Sequence, residues 1–224
     1  MAGAVAQTKE NAASGSATTI ASGSMGVDVT AGNLLHVIAN AGTNVTITPS
    51  QNSGTATIGA FTSHGSVQEA VVLDKLEHFT CAVTGSGSLD ILITYGSSTD
   101  RRGVLVTEVS GVSAVDGSDE QTDTGSNPTP NGTVNVTTQP AFGLSFCTDY
   151  QGGTPTTGSG WTNQNTYWTG VSNARLQTRA ISATGNVTAN FGNAPVSRNN
   201  AVMIVFTDSA GGAAPRRMTL LGVG

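Results

Sequence analysis

The chain has 224 residues and a formal net charge of −5 at pH 7, and only 10% of its residues are charged. This length is sufficient to bury one large hydrophobic core. The acidic balance argues against a nucleic-acid partner, which needs clustered Lys and Arg. The chain also lacks a run of roughly 18 apolar residues, which argues against a transmembrane helix and a membrane partner.

The first 25 residues are small, polar and largely aperiodic. Because such a segment gains little from packing on its own, we predict an N-terminal arm over residues 1–25 that becomes ordered on a partner. The segment contains Glu10 and has no apolar run of the kind found in a secretory signal. We therefore expect the protein to start out in the cytoplasm of the cell that makes it.

Short runs in which apolar and polar residues alternate follow the predicted arm. In "SLDILITYG", Leu89, Ile91 and Ile93 share one face, and Asp90 and Thr94 share the other. The run "AVMIVFTD" is apolar on both faces, which is typical of a central strand that is covered on both sides. Strands are predicted at 33–39, 44–48, 55–61, 79–84, 88–96, 103–109, 133–137, 141–149, 185–192 and 201–208.

Clusters of Gly, Asn, Pro and Ser separate these runs, and no convincing helix interrupts them. We therefore predict an all-β fold, a two-sheet antiparallel β-sandwich of jelly-roll-like form over residues 26–209. Residues 67–78 fit either an amphipathic helix or a strand, and we favour the strand because Val71–Leu73 contains β-branched residues. The acidic stretch 116–133 is predicted to be a long loop.

The last segment, 210–224, is a Gly/Ala/Pro linker followed by a basic pair and an apolar end. An exposed Met-Thr-Leu-Leu run is unfavourable in water, so this end must pack on its own domain or on a neighbouring molecule. We predict a C-terminal docking tail whose interface residues are Arg216, Arg217, Leu220 and Leu221.

Histidines and strand-borne carboxylates give weak signals for a chemical site. His36, His64 and His78 are the three histidines, and neither His36 nor His78 has a second ligand at metal-binding spacing, so both are predicted to be structural. Glu108 and Asp149 are the best pair for a glycosidase, which needs two facing carboxylates. The favoured alternative is that both point outward or pair with an arginine.

An acidic cluster and the two cysteines are the other candidates for metal binding or redox chemistry. Asp119, Glu120 and Asp123 offer oxygen ligands for calcium, but their spacing does not match an EF-hand, and a solvated acidic loop is favoured. Cys81 and Cys147 form no C-x-x-C motif, so we predict two buried free thiols. The sequence therefore predicts a protein that is not an enzyme and that has no catalytic residue, no metal site and no cofactor.

The segment "GWTNQNTYWTG", residues 160–170, contains both tryptophans and one of the three tyrosines. Aromatic side chains among amides and hydroxyls suit stacking on a sugar ring. They also suit a protein–protein contact, where Trp and Tyr are enriched, or a loop that folds back over the open end of a sandwich. The residue types leave all three interpretations open.

Three stretches together resemble a family of β-sandwich proteins found in tailed bacteriophages and prophages. They are "VTAGNLLHVIANAG" (29–42), the run 99–146 with a strand that ends in E-x-S-G, and "GWT" (160–162) followed by a closing hairpin at 184–208. The resemblance covers about residues 25–208. It implies a structural role in a virion, as a capsid decoration, fibre or tail component, and its pattern includes no catalytic residue.

The resemblance also implies roles for single residues. Glu108 and Gly111 look like structural landmarks, and Trp161 looks like a packing residue at a strand edge. Tyr167 and Trp168 lie beyond an amide-rich turn, and we predict that they are exposed and contact a neighbouring subunit rather than a sugar.

We therefore expect a non-enzymatic virion structural protein, a capsid decoration subunit that binds the particle through its termini. The expected partners are copies of itself and other virion proteins, and the expected location is the virion, assembled in the host cytoplasm. The alternatives are a tail or fibre protein, or a receptor- or carbohydrate-binding module that takes host-surface glycans on the 161–168 aromatic loop.

Overall fold

The computed structural model describes residues 2–69, 73–123, 132–150, 153–169, 171–191 and 199–209. These residues form 16 strands, and no helix occurs among them. Accordingly, no described segment is a helix long and apolar enough to cross a bilayer. The predicted all-β class is confirmed.

The strands of the first half of the chain are β1 (Ala4–Ala13), β2 (Ala17–Ala21), β3 (Leu34–Ala41), β4 (Ile47–Ser53), β5 (Thr57–Ile58), β6 (Thr62–Gln68), β7 (Lys75–Gly85), β8 (Asp90–Thr99) and β9 (Arg102–Ser110). Those of the second half are β10 (Val112–Asp123), β11 (Gly132–Val136), β12 (Ala141–Asp149), β13 (Thr162–Tyr167), β14 (Asn173–Ile181), β15 (Gly185–Ala189) and β16 (Asn199–Asp208). Many of them are rich in Val, Ile, Thr and aromatic residues, which fit a pleated, buried surface.

Antiparallel pairing groups the described strands into four sheets. A six-stranded sheet has the order β1-β9-β3-β7-β5, with β6 also paired to β7, and a five-stranded sheet has the order β10-β16-β12-β14-β13. A three-stranded sheet, β2-β8-β4, and a two-stranded sheet, β11-β15, complete the set. Each half of the chain therefore builds one large sheet and one small sheet.

The four sheets stack in layers around three main apolar cores. The central core lies between the six-stranded and five-stranded sheets and includes Ile38, Leu105, Phe146, Leu176 and Ile204. The three-stranded sheet covers the outer face of the six-stranded sheet, and the two-stranded sheet covers the outer face of the five-stranded sheet. The two central sheets form the predicted antiparallel sandwich, which is confirmed.

Burial on both faces explains the central strands that lack alternation. All residues of β12 are buried, and seven residues of β9 are buried as a continuous run. Full burial of one Leu, Ile or Phe side chain stabilises by about 1.5–3 kcal/mol, so these strands contribute a large share of the hydrophobic stabilisation. The prediction that "AVMIVFTD" is a central strand is confirmed, because Ala201–Phe206 are all buried in β16.

The predicted N-terminal arm is wrong, because residues 1–25 contain two strands of the chain's own sheets. β1 pairs with β9 over its whole length, and β2 pairs with β8. Between the two strands, the guanidinium of Arg102 donates to the backbone oxygen of Gly15 (3.0 and 3.3 Å) and to that of Thr19. Ladder bonds to β9 order an edge strand whose small polar residues show no clear alternation.

Two further predictions on irregular segments need correction. Residues 116–123, predicted to lie in a loop, continue β10, and their backbone pairs with β16. Residues 67–78 form neither one strand nor one helix, because β6 ends at Gln68 and β7 begins at Lys75. Of the rest of the predicted loop, residues 124–131 lie outside the described residues, and residues 132 and 133 begin β11.

Most of the other predicted strands coincide with observed ones. They match β3, β7, β8, β9, β11, β12, β15 and β16, while the predictions at 44–48 and 55–61 overlap only the start of β4 and the short β5. The strands β13 and β14 were not predicted, and β6 overlaps the predicted segment 67–78 only at residues 67 and 68. Their polar or mixed sequences become strands because neighbouring strands supply partners for their backbone groups.

The edges of the two central sheets meet on both sides of the sandwich. On one side β6 lies against β10, where Ser118 Oγ donates to the backbone oxygen of His64 (3.0 Å). On the other side β1 lies beside β13, where Tyr167 Oη donates to Thr8 Oγ1 (3.3 Å). Both sides bring together residues that are far apart in sequence. The β6–β10 side contains His64, and the β1–β13 side contains Tyr167.

Candidate functional site

Tyr167 and Trp168, predicted to be exposed, are buried in the central core. Their exposed fractions are 4% and 2%. Trp168 has a left-handed backbone with φ of 55°, and its backbone oxygen accepts hydrogen bonds from Val171 N (3.0 Å) and Ser172 N (3.1 Å). This turn after β13 returns the indole to the space between the two central sheets, so the prediction of exposure is wrong.

The Trp168 indole contacts its own chain on several strands. Nε1 donates to Val104 O (3.3 Å), and the ring lies edge-on to Phe146 with centroids 4.9 Å apart. The backbone N of Trp168 donates to Glu10 Oε2 (2.8 Å) in β1. A Cβ at Gly103 would lie 2.8 Å from Cε2 of the indole, so the ring occupies space that a glycine leaves open.

Trp161 is buried, as the resemblance implies for a packing residue. It is 7% exposed, and its Nε1 donates to Thr188 O (3.1 Å). The ring lies over Gly143 in the core between the five-stranded and two-stranded sheets. All three aromatic side chains of residues 161–168 are therefore buried, and none of them presents a free face on which a sugar ring could stack.

The predicted interface residues thus fall into two groups. Tyr167 and Trp168 are core residues, because the turn after β13 places them between the sheets. Arg216, Arg217, Leu220 and Leu221 lie outside the described residues, and their role in a docking tail stays a prediction.

The predicted carboxylate pair of a glycosidase is divided between the two central sheets. Glu108 lies in β9 of the six-stranded sheet, and Asp149 ends β12 of the five-stranded sheet. Tyr150, which follows Asp149, is linked through Asn40 to Arg101, which precedes β9. Glu108 lies near the other end of β9, so the two carboxylates do not face each other and the pair hypothesis is wrong.

Glu108 instead binds the turn that precedes β3. Its Oε1 accepts hydrogen bonds from Thr30 N (2.7 Å) and Asn33 Nδ2 (2.6 Å), and its Oε2 accepts one from Gln7 Nε2 (2.7 Å). Gly32, in the same turn, has φ of 92°, a conformation that favours glycine. The Glu of E-x-S-G and the T-A-G-N turn, two features of the family resemblance, are therefore in direct contact.

Asp119 and Glu120, two of the acidic residues considered for calcium, have separate hydrogen-bond partners. Asp119 Oδ2 accepts a hydrogen bond from Thr133 N (2.7 Å), whereas Glu120 Oε1 lies 2.8 Å from His78 Nε2 between the central sheets. Because neighbouring side chains of a strand point to opposite faces, the two carboxylates are kept apart. Among the described residues, no group of three or more His, Cys, Asp or Glu side chains is arranged to hold a metal ion.

All three histidines of the chain converge on the β6–β10 side of the sandwich. His36 Nε2 lies 3.1 Å from His78 Nδ1, and His78 Nε2 lies 2.8 Å from Glu120 Oε1. The His64 ring centroid lies 5.8 Å from that of His78, and His64 Nε2 lies 2.7 Å from Thr80 Oγ1. We refer to His36, His64, His78 and Glu120 as the histidine cluster.

The histidine cluster is electrostatically unusual. Burial lowers the pKa of His36 well below its ordinary value, and the neighbouring His78 and His64 rings lower this pKa further. Burial also lowers the pKa of His64, with a further contribution from His78, while Glu120 opposes the shift. Since histidine ordinarily titrates near pH 6.5, both rings are neutral at pH 7.

Sequence reasoning found the structural character of His36 and His78 but missed the cluster. Each ring belongs to a different strand, and only the pairing of β3, β6 and β7 brings the three together. His36 and His78 are 42 residues apart, and His78 and Glu120 are also 42 residues apart. No local pattern in the sequence signals such a contact.

A second polar network lies at the end of the sandwich where β7, β9 and β16 begin. Arg101 Nη1 lies 3.0 Å from Asp74 Oδ2, and Asn200 Nδ2 donates to Asp74 O (2.9 Å). Asn40 Nδ2 donates to Arg101 O (2.8 Å), and Tyr150 Oη donates to Asn40 Oδ1 (2.9 Å). Burial, with a contribution from Asp74, raises the pKa of Tyr150 well above its ordinary value, so its phenol stays a donor that ties the two central sheets together.

Cys81 and Cys147 are buried free thiols, as predicted. Cys81 lies in the core beneath the three-stranded sheet, and Cys147 packs with Phe191 and Ala201 on the outer face of the five-stranded sheet. Burial raises the pKa of Cys81 to about 12, and burial together with Asp149 raises the pKa of Cys147 well above its ordinary value. Because the thiolate is the reactive form, neither thiol is suited to act as a nucleophile in the folded protein.

Comparison with known proteins was made at three levels, and none produced a relative. No family model matches the sequence, no curated protein matches it, and no solved structure matches the fold.

Proposed function

We propose that the protein is a non-enzymatic structural subunit of a bacteriophage virion, a decoration protein of the capsid. The observation that carries the proposal is the contact between Glu108 and the 30–33 turn. This contact joins two of the segments through which the sequence resembles the phage β-sandwich family. Gly111, the glycine of E-x-S-G, has φ of 71° and lies where the chain passes from the six-stranded to the five-stranded sheet.

The exposed faces of the small outer sheets also support a structural role. Thr19, Thr94 and Thr48 lie side by side across the three-stranded sheet and are exposed. On the two-stranded sheet, Thr133 and Thr188 are directly opposite each other, and their hydroxyl oxygens are 3.0 Å apart. Charged residues are depleted from the cores of protein interfaces, so uncharged hydroxyl faces suit a subunit that packs among neighbours.

The segment proposed to contact the particle is the C-terminal one. Within residues 4–21, β1 and β2 belong to the chain's own sheets, so this stretch does not form a free arm. The predicted docking tail at 210–224 combines two arginines with an apolar end. A segment of this kind binds through charge-assisted hydrogen bonds together with apolar burial.

The proposal is tested by asking whether the chain is a component of particles. Particles are induced in the cell that carries the gene, purified on a density gradient and analysed by quantitative mass spectrometry. We expect many copies of the chain per particle. Its absence from purified particles, together with its presence as a free monomer in the lysate, would refute the proposal.

A second experiment separates capsid decoration from the tail or fibre alternative and tests the tail segment. Heads and tails are separated after disruption, and the chain is expected in the head fraction, whereas recovery with tails would favour the alternative. A chain truncated after Ser209 is expected to fold with unchanged circular dichroism and to lose binding to capsids that lack the native subunit. The full-length chain added to the same capsids is the control.

A further inference from the structure

The histidine cluster lies where an edge of one central sheet meets the other. Glu120 of β10 contacts His78 of β7, with Oε1 and Nε2 2.8 Å apart, and Ser118 Oγ of β10 donates to the backbone oxygen of His64 in β6 (3.0 Å). The side chain of Glu120 is 21% exposed, whereas that of His78 is fully buried. The cluster therefore runs from the surface into the space between the sheets and holds β10 against β6 and β7.

The backbone of β6 has a shape that admits the Glu120 carboxylate. The register between β6 and β7 shifts between Ser63 and Gly65, which is a bulge, and Gly65 has φ of 134°. A Cβ at Gly65 would lie 2.4 Å from Cδ of Glu120. The carboxylate therefore occupies space that only a glycine leaves open.

The hydrogen bonds define one proton arrangement when the rings are neutral. A carboxylate only accepts, so His78 Nε2–H donates to Glu120, and His78 Nδ1 accepts from His36 Nε2–H (3.1 Å). Within the His36–His78 pair, the remaining basic nitrogen is His36 Nδ1, which is buried and has no hydrogen-bond partner among the described residues. A proton added there creates a buried cation whose Nδ1–H has no acceptor among the described residues, which is strongly unfavourable.

The groups that face the three rings come from six strands. β3, β6 and β7 supply the rings, β10 supplies Glu120, β9 supplies Thr107 opposite His36, and β16 supplies Phe206, 6.3 Å from the His36 ring. Glu120 is the one charged group among these described neighbours. The ring centroids of His36 and His64 lie 5.3 and 5.8 Å from that of His78, so a single carboxylate cannot balance positive charge on both His36 and His64.

We propose that the histidine cluster is an acid-sensitive latch between the two central sheets, and that protonation of His36 and His64 separates β10 from β6 and β7. The pKa of both His36 and His64 is lowered in the folded protein, mainly by burial. The opened state therefore binds protons first, so the latch has its full strength above about pH 6.5 and weakens as the pH falls below that value. At pH 5.5, each ring that is neutral in the folded state and becomes protonated in the opened state multiplies the equilibrium constant for opening by about ten.

Hydrogen–deuterium exchange at pH 7.5 and pH 5.5, corrected for the intrinsic rate, tests the latch. Amides of β6, β7 and β10 are expected to lose about ten- to a hundredfold of their protection at the lower pH, whereas amides of β2, β4 and β8 keep theirs. His36→Gln retains a donor toward His78 but cannot take up a proton, so its loss of protection is expected to be about tenfold smaller. Asp116→Asn, on β10 but outside the cluster, is the matched control and is expected to respond like the wild type.

Equal protection at the two pH values in the wild type would overturn the proposal, as would a response of His36→Gln as large as that of the wild type. If His36→Gln does not fold, His64→Gln at the more accessible ring provides the same comparison. An NMR titration of the wild-type ring carbons gives an independent readout. Protonation of His36 in the folded protein above pH 6.5 would also refute the latch, because a ring that is charged at neutral pH cannot serve as its trigger.

Discussion

Replacement of Trp168 by alanine tests the assignment of this residue to the core. The indole is 2% exposed, packs edge-on to Phe146 and fills the space above Gly103. Truncation of a buried tryptophan to alanine typically costs about 3–5 kcal/mol, because apolar burial is lost and a cavity remains. Trp168→Phe keeps most of the ring but loses the hydrogen bond to Val104 O, and we expect a loss of about 1–2 kcal/mol.

Urea unfolding measures these differences in the free energy of unfolding. Trp161, the other tryptophan of the chain, is retained in both variants, and its buried indole reports on unfolding by fluorescence. Asn163→Ala, at an exposed position of β13, is the matched control and is expected to change stability by less than about 0.5 kcal/mol. The slope of free energy against urea is expected to stay constant across the set, so midpoints compare directly.

One outcome would contradict the structural assignment of Trp168. If Trp168→Ala unfolds within about 1 kcal/mol of the wild type at the same slope, the indole is not part of the core. In that case an exposed aromatic surface at residues 161–168 would have to be reconsidered. A loss in the expected range leaves no free indole face for a partner or a sugar.

Three other predictions follow from buried groups. Glu108→Ala removes the acceptor of three hydrogen bonds, so urea unfolding is expected to show a free energy of unfolding lower by at least about 3 kcal/mol. A loss below about 1 kcal/mol would show that the 30–33 turn does not depend on this carboxylate. Cys81 and Cys147 are expected to resist a thiol reagent at pH 8 in the native protein and to react with it in urea. The reason is that burial raises the pKa of Cys81 to about 12 and raises the pKa of Cys147 as well. Rapid labelling of the native protein would contradict this prediction. Gly103→Ala places a Cβ 2.8 Å from the Trp168 ring and is expected to lower the free energy of unfolding by about 1–3 kcal/mol in urea unfolding. Gly26→Ala, with open space around it, is the control and is expected to be nearly neutral.

The amino-acid pattern was sufficient to predict the fold class and the central strands. Alternation between apolar and polar residues identified β8, and apolar residues on both faces identified β16 as a covered strand. Both signals are local, since they depend only on which face of a pleated strand each side chain occupies. The burial of the two thiols was anticipated from residue type and from the lack of a C-x-x-C motif, whereas the burial of Trp161 was implied only by the family resemblance.

Polar strands were the part of the fold that the pattern did not reveal. β10 contains the run "DGSDEQTD", which has the composition of a loop, and β1 is made largely of small and polar residues. Both are strands because β16 and β9 offer complementary rows of backbone donors and acceptors. That partner is decided by the tertiary structure, and side-chain hydrophobicity contains little information about it.

The sites show the same division between local and distant information. The sequence determined that the chain is an antiparallel β protein with an apolar interior, because strand periodicity is written into consecutive residues. Only the tertiary structure decided that Trp168 contacts Glu10, which is 158 residues away. It likewise decided that His36 and His78, 42 residues apart, form a chain of hydrogen bonds with Glu120. Such contacts depend on the register between strands and on the packing of one sheet over another, and neither is encoded in the residues on either side of the contact.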